Sequence, residues 1–272
     1  MSYFSPDQEL LLSNEEHCSI QDVECDVEVA EGVVLERRSV LWLSAAAISS
    51  MLFGAANLRG QDPRPSPAPN KGPGGLTHAE FLEQLYPQAR RLIDSKSQNE
   101  EAYLLTVAAA MSRLRDPKAP IRDAMRSFSK QHKKQGERFP IGAMSMRLKP
   151  GKGFSHHDHL NYNGVIMGVD GEVRIRNYDF HGTVPPIAST DAFAIRETRD
   201  DLILPGRFSS LGQTRENIHD LVAGKDGARV LDIFTFFAKD ATSRSLTVAP
   251  KPRDPEARIY EASWRQRRRR QR

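Results

Sequence analysis

Cysteine is nearly absent from this 272-residue chain: only Cys18 and Cys25 occur, both before residue 30. Everything downstream must fold without a disulfide, and a cysteine-built structural zinc site is excluded there. Charge of one sign is also scarce. The 39 Lys and Arg against 35 Asp and Glu leave a net charge of +4. Much of that excess lies in the terminal run Arg265-Gln266-Arg267-Arg268-Arg269-Arg270-Gln271-Arg272. Such a tail can touch nucleic acid or anionic lipid. No aromatic-interleaved basic surface accompanies it, so a solvated tail is the expectation and no nucleic-acid partner is expected. Long apolar runs are missing too. The uncharged stretch ending at Ala56 spans roughly eighteen residues, but its Ala and Ser content makes it a weak spanning helix. No internal repeat appears beyond the spacing of strand-like segments, and 39% hydrophobic content suffices for one barrel core.

What is present divides the chain into six stretches. Residues 1–35 form an acidic extension expected to be disordered. Residues 36–56 open with Glu36-Arg37-Arg38-Ser39-Val40-Leu41 and close on the small residues Gly54-Ala55-Ala56. An arginine pair before an apolar segment looks like a twin-arginine export signal. The expectation is a periplasmic or exported protein handled by the twin-arginine machinery; a membrane anchor with transient lipid contact, or a cytoplasmic protein, is the alternative. Residues 57–76 are Pro- and Gly-rich and read as an extended linker. Residues 77–135 read as helical: Thr77 and Glu80 make a capping-box pattern, with Phe81, Leu82, Leu85 and Leu92 at helical spacing and Pro87 expected to interrupt them. A second helix is expected from Asn99 to Leu114, with Leu104, Leu105, Val107, Ala108, Met111 and Leu114 inward, and a third from Ile121 to Lys130. Residues 136–250 change to strand patterning, and 251–272 form the basic tail. Candidate strands are Ile141–Leu148, Gly164–Val169, Glu172–Asp179, Asp200–Leu204, Ile218–Val222, Ala228–Phe237 and Arg244–Val248. Asp170-Gly171 is a hairpin signal between two of them.

The chemistry concentrates in Gly153-Phe154-Ser155-His156-His157-Asp158-His159. Side chains two apart on a strand share a face, so His157 and His159 can bind one metal, while His156 and Asp158 point the other way. His219, in Asn217-Ile218-His219-Asp220, is a third imidazole beside a distant strand. Two ligands on one strand and one on another suit a metal site in a small β-barrel. Ordinary surface or core histidines are the alternative. Arg174 and Arg176 share one strand face, either as substrate anchors or as its wet side.

Gly153 to His159, then Gly164 and Gly171, resemble the first cupin motif. Asn217-Ile218-His219 with Val230-Leu231-Asp232-Ile233 resembles the second half of the thiol dioxygenases typified by cysteamine dioxygenase and the plant cysteine oxidases. The similarity covers roughly Phe139 to Ala238. The cupin pattern places a Glu four or five residues after the second His; here those positions are Asn163 and Gly164, as suits a three-His site. Where the family has Pro-Pro-Tyr, this chain has Thr235-Phe236-Phe237-Ala238. The resemblance implies a mainly β fold, a cupin (double-stranded β-helix, jelly-roll) barrel with N-terminal α-helices, in a bacterial member carrying a twin-arginine-like signal. It implies Fe2+ held by His157, His159 and His219, and O2-dependent conversion of a small aminothiol, or of an N-terminal cysteine of a peptide, to a sulfinic acid. A Cys–Tyr crosslink, found in some thiol dioxygenases, is impossible within this domain. Asp232 and Tyr178 are the candidate catalytic side chains, Asp232 as a strand-end group or a substrate contact. Tyr162 and Asn163 border the expected cavity, and a monomer is expected. Other cupin enzymes using manganese, nickel or zinc, and a non-catalytic cupin binding a small ligand, stand as alternatives.

Overall fold

The structure, a computed structural model, describes residues 26–29, 75–136 and 138–266. The expected mainly β architecture is observed: an antiparallel barrel preceded by helices. In chain order the elements are β1 (Asp26–Val29), α1 (His78–Asp94), α2 (Glu100–Met111), α3 (Arg122–Lys134), β2 (Ile141–Leu148), β3 (Gly153–Leu160), β4 (Tyr162–His181), β5 (Phe193–Ile203), β6 (Phe208–Leu211), β7 (Ile218–Phe236), β8 (Thr242–Val248) and β9 (Ile259–Trp264).

Two long antiparallel strands, β4 and β7, organise the barrel, paired from Tyr162 opposite Phe236 to Tyr178 opposite Ile218. One half of this ribbon is flanked by β6 and β2, with β1 outside β2. The other half is flanked by β5 and β3, and the pairings β3–β8, β8–β9 and β9–β5 close a ring. Each long strand was expected as two. The Asp170-Gly171 hairpin is therefore corrected: the chain does not reverse there but bulges, with register shifts on both sides of Gly171. Gly171 and Gly227 take φ of +64° and +78°, and a Cβ on Gly171 would lie 2.2 Å from the Gly227 carbonyl oxygen. Asp-Gly supplies the left-handed backbone that a bulge and a hairpin both need, so the dipeptide alone does not tell them apart.

Three apolar clusters fill the molecule. The first joins the helices to the outer face of the β2–β7–β4 sheet through Phe81, Leu85, Met111, Val165, Leu231 and Ile233. Tyr103 ties α2 to this face by a 2.5 Å hydrogen bond with Thr235. The second lies between the sheets and includes Met146, Ile166, Ile175, Leu221 and Val230. The third takes Tyr178, Phe193, Ile195, Ile218, Leu246, Ala262 and Trp264 from β4, β5, β7, β8 and β9, and so fills the inside of the ring.

The helical layer departs from expectation at two residues. Pro87 does not interrupt α1, which runs through it. Its ring is exposed while Phe81, Leu82, Leu85, Ala89 and Leu92 hold the opposite face in the core, so packing outweighs the lost hydrogen bond. Leu105 is 60% exposed rather than inward, because Tyr103, Leu104, Val107 and Met111 already define the buried stripe of α2. The Thr77–Glu80 capping box forms as read. The barrel also continues past residue 250. β9 pairs with β5 and β8, Trp264 is buried, and its Nε1 donates to the Pro185 carbonyl at 2.9 Å. At the other end, Asp26–Val29, within the extension expected to be disordered, is a strand along β2. The rest of that extension, the arginine-pair segment and the linker up to residue 74 lie outside the described residues. Among the described residues no helix is long and apolar enough to cross a membrane.

Candidate metal centre

β3 leaves a glycine-bearing turn and enters the sheet at Gly153. A side chain there is impossible: its Cβ would lie 1.8 Å from the Leu221 carbonyl oxygen of β7. That close approach brings β3 against β7 and places His157 directly opposite His219. His157 and His159 share one face of β3, as strand periodicity requires, and His219 joins them. The three ligand nitrogens lie within 4.8 Å of one another. The Nε2 atoms of His157 and His219 are 3.0 Å apart. Metal–nitrogen bonds of about 2.0–2.1 Å place neighbouring ligand nitrogens roughly 3–3.4 Å apart, so this separation suits two ligands of one ion.

The electrostatics point the same way. Burial, the largest cause in each case, lowers the pKa of all three imidazoles, and those of His159 and His219 lie well below the ordinary histidine value. His157 adds charge repulsion to both of its neighbours. Three neutral imidazoles result. The His157 Nδ1–H donates to the Ser155 carbonyl at 2.9 Å, which leaves the Nε2 lone pair aimed at the cluster. Both ring nitrogens of His159 and Nδ1 of His219 are buried with no hydrogen-bond partner among the described residues. Unpaired buried polar atoms are costly. A divalent cation takes one nitrogen from each ring, here Nε2 of His157 and of His219 and one unpaired nitrogen of His159, so these residues fit a metal. His159 and His219 are 2% exposed, whereas His157 keeps partial exposure, so approach from solvent is on its side.

Aromatic rings wall the centre. Tyr162 stacks on His159 at 4.2 Å between centroids and bonds through its hydroxyl to Ser243. Phe234 lies 6.3 Å from His159, and Phe154 lies 6.4 Å from His157. Asp232 is two residues from Phe234 on β7 and so shares its inward face. It is 3% exposed, and its Oδ1 has no partner among the described residues. Burial raises its carboxyl pKa to about 7, with the Ile233 backbone N–H opposing. The strand that carries Phe234 thus also carries a buried carboxyl with its pKa pushed up to about 7.

The other residues singled out from the sequence lie elsewhere. Tyr178 is fully buried inside the ring, its hydroxyl 3.3 Å from His156 Nε2. The structure does not bring it to the three imidazoles: it sits on the far side of the strands that carry them, and burial raises its phenol pKa. Asn163 faces α2, donating to Glu100 at 2.9 Å. Arg174 and Arg176 are held by Asp200 and Asp220 through paired hydrogen bonds. The phenol at the centre is Tyr162; its position two residues after Leu160 gives no sign of the ring stacking.

No protein-family model matches the chain, and no curated protein matches it. Among solved structures it is similar to the coconut allergen cocosin, at 16% identity over 39% of this chain and 24% of that one, with a TM-score of 0.31. It is similar to oxalate decarboxylase from Bacillus subtilis at 21% identity over 38% of this chain and 23% of that one, with a TM-score of 0.29. Peruvianin-I, a cysteine peptidase from Thevetia peruviana latex, is 12% identical over 44% of this chain and 61% of that one, with a TM-score of 0.31. The chain thus spans about a quarter of the length of the first two.

Proposed function

We propose that the chain is a non-haem iron(II) thiol dioxygenase acting on a small aminothiol or on the N-terminal cysteine of a peptide. The observation that carries this reading is the ligand set: three neutral imidazoles, two of them buried with unpaired nitrogens, and no carboxylate among them. Iron(II) held by His157, His159 and His219 would supply the Lewis acidity and electron transfer that bring O2 and a thiol to react. The overall change balances without another reductant: RSH and O2 give RSO2H. The O–O bond breaks, two S–O bonds form, sulfur loses four electrons and O2 accepts them.

The chain's own residues have separable tasks in this scheme. The imidazoles add no negative charge, so the centre stays cationic and favours a thiolate. Asp232 Oδ1, unpaired and titrating near neutrality, takes the thiol proton or accepts a hydrogen bond from the substrate amine. Tyr162 and Phe234 hold the His159 ring and keep water from its side. Phe236, where the family has Pro-Pro-Tyr, packs on Tyr162 at 5.6 Å and makes that wall apolar. The Arg37-Arg38 segment directs export through the twin-arginine machinery, and the enzyme works as a monomer.

Oxygen uptake tests the reading directly. Purified, iron-loaded full-length chain is mixed with cysteamine, cysteine or a Cys-initiated peptide, and products are identified by mass spectrometry. Uptake with a sulfinate carrying both oxygen atoms, lost in His157→Ala, is the expected result. No uptake with stoichiometric iron present overturns the thiol reading and leaves another cupin chemistry or ligand binding.

A further inference from the structure

β3 carries two sets of side chains, and its pairing with β7 shifts register between Phe154 and His157, just before the first ligand. From His157 onward the strand is in register with both β7 and β8. The back face of the same strands adds side-chain ties to the ladder. Asp158, between the two β3 ligands, is 0% exposed. Its Oδ1 accepts from the Arg244 backbone N–H at 2.9 Å, and its Oδ2 accepts from Arg244 Nε at 2.8 Å and also from Nη2. The Arg244 guanidinium in turn lies 4.6 Å from the centroid of Trp264. β3 is thereby pinned to β8 and β9. Asp220, next to His219, accepts from Arg176 of β4 at 3.1 and 2.7 Å. Its Oδ1 also lies 3.4 Å from Nε2 of His156, the residue before His157. β7 is thereby held to β4 and to β3.

We propose that Asp158 and Asp220 are positioning residues: their ion pairs on the back face set the spacing of the three imidazoles, and with it the affinity and geometry of the metal centre. The proposal rests on the metal reading above. Neither carboxylate touches a ligand ring; each acts through the backbone of the neighbouring histidine. This separates them from the Ser155 carbonyl, which bonds the His157 ring itself.

The test is Co(II) titration of the full chain, following visible d–d absorption, with Asp158→Asn, Asp220→Asn, Arg244→Lys and Met111→Ala. Asp158→Asn keeps size and loses charge. Its Co(II) dissociation constant is expected to rise roughly 10- to 100-fold, as for loss of a group supporting a ligand, with a shifted absorption envelope. Asp220→Asn acts in the same direction. Arg244→Lys retains a cation and falls between wild type and Asp158→Asn, which keeps the proposal testable if Asp158→Asn does not fold. Met111→Ala lowers the unfolding temperature from within the helical layer and leaves Co(II) affinity and spectrum unchanged. Wild-type affinity and spectrum in Asp158→Asn and Arg244→Lys, or losses matched by Met111→Ala, overturn the proposal and leave the metal reading intact. No Co(II) uptake by wild type overturns the metal reading and the proposal together. Thiol oxidation is not needed for any of these readouts.

Discussion

The two faces of β3 carry similar side chains in opposite states. On the front, His157 and His159 meet His219, and three nitrogens of His159 and His219 have no partner among the described residues. On the back, His156 and Asp158 are engaged by Tyr178, Asp220 and Arg244. Both faces are largely buried, so burial alone does not mark function. The difference is satisfaction: a folded chain pairs its buried polar atoms, and a buried cluster of unpaired lone pairs points to something that binds. Breaking a buried ion pair by removing one partner costs about 3–5 kcal/mol, so the back face serves the fold first and the site through it.

The largest effect that would sharpen this contrast comes from the front. His159→Ala should cut metal affinity by at least about 100-fold, since a ligand itself counts for more than the groups supporting it. The apo chain should lose less stability than a buried ring truncated to Ala ordinarily costs, because the lost stacking on Tyr162 is partly offset by removal of two unpaired nitrogens. Metal titration and thermal unfolding of the same preparation check both halves. A large apo destabilisation with metal binding intact would make His159 a core residue of the ordinary kind.

Asp232 gives the next effect. Its carboxyl titrates near 7 when folded, against an ordinary value of 3.8. The folded chain therefore holds a proton that the unfolded chain has released between these pH values. This contribution to stability is full below about pH 4, falls as pH rises, and is gone above about pH 7, with a slope of at most roughly 1.4 kcal/mol per pH unit. Asp232→Asn in the metal-free chain should flatten that slope and be relatively more stable at pH 8 than at pH 5. Denaturant unfolding at the two pH values measures it; parallel profiles for variant and wild type would contradict the placement of a buried, proton-holding carboxyl.

The smallest effect belongs to Tyr178. Tyr178→Phe removes one hydroxyl from the back face, with an expected cost of about 1 kcal/mol in stability and thiol turnover close to wild type. A collapse of turnover with stability kept would place the phenol in the chemistry and remove the distinction between the faces.

The sequence made the metal cluster legible because His-x-His on a strand has one geometric meaning, and because His219 lies beside a second strand-like run. The Ile141–Leu148 strand and the Thr77–Glu80 cap were legible for similar local reasons. The union of four expected strands into β4 and β7 was not, since Asp170-Gly171 reads alike as hairpin or bulge until its partner Gly227 is known. Strand β9 was hidden by its basic surroundings, and its pairing with β5 is non-local. Tyr162 was named as a border residue, but its stacking on His159 depends on how β3 turns into β4. Strand alternation turns Asp158 away from the ligands; that it is fully buried there depends on Arg244 and Trp264, far along the chain.

The central claim is that the front-face imidazoles together hold one divalent ion. Anaerobic calorimetric titration of the metal-free full chain with Fe(II) tests it most directly. The account predicts one equivalent bound per chain, abolished in His219→Ala, with the unfolding temperature of wild type raised by the bound ion as mass action requires. Binding that survives in His219→Ala, or no binding in wild type, would contradict it.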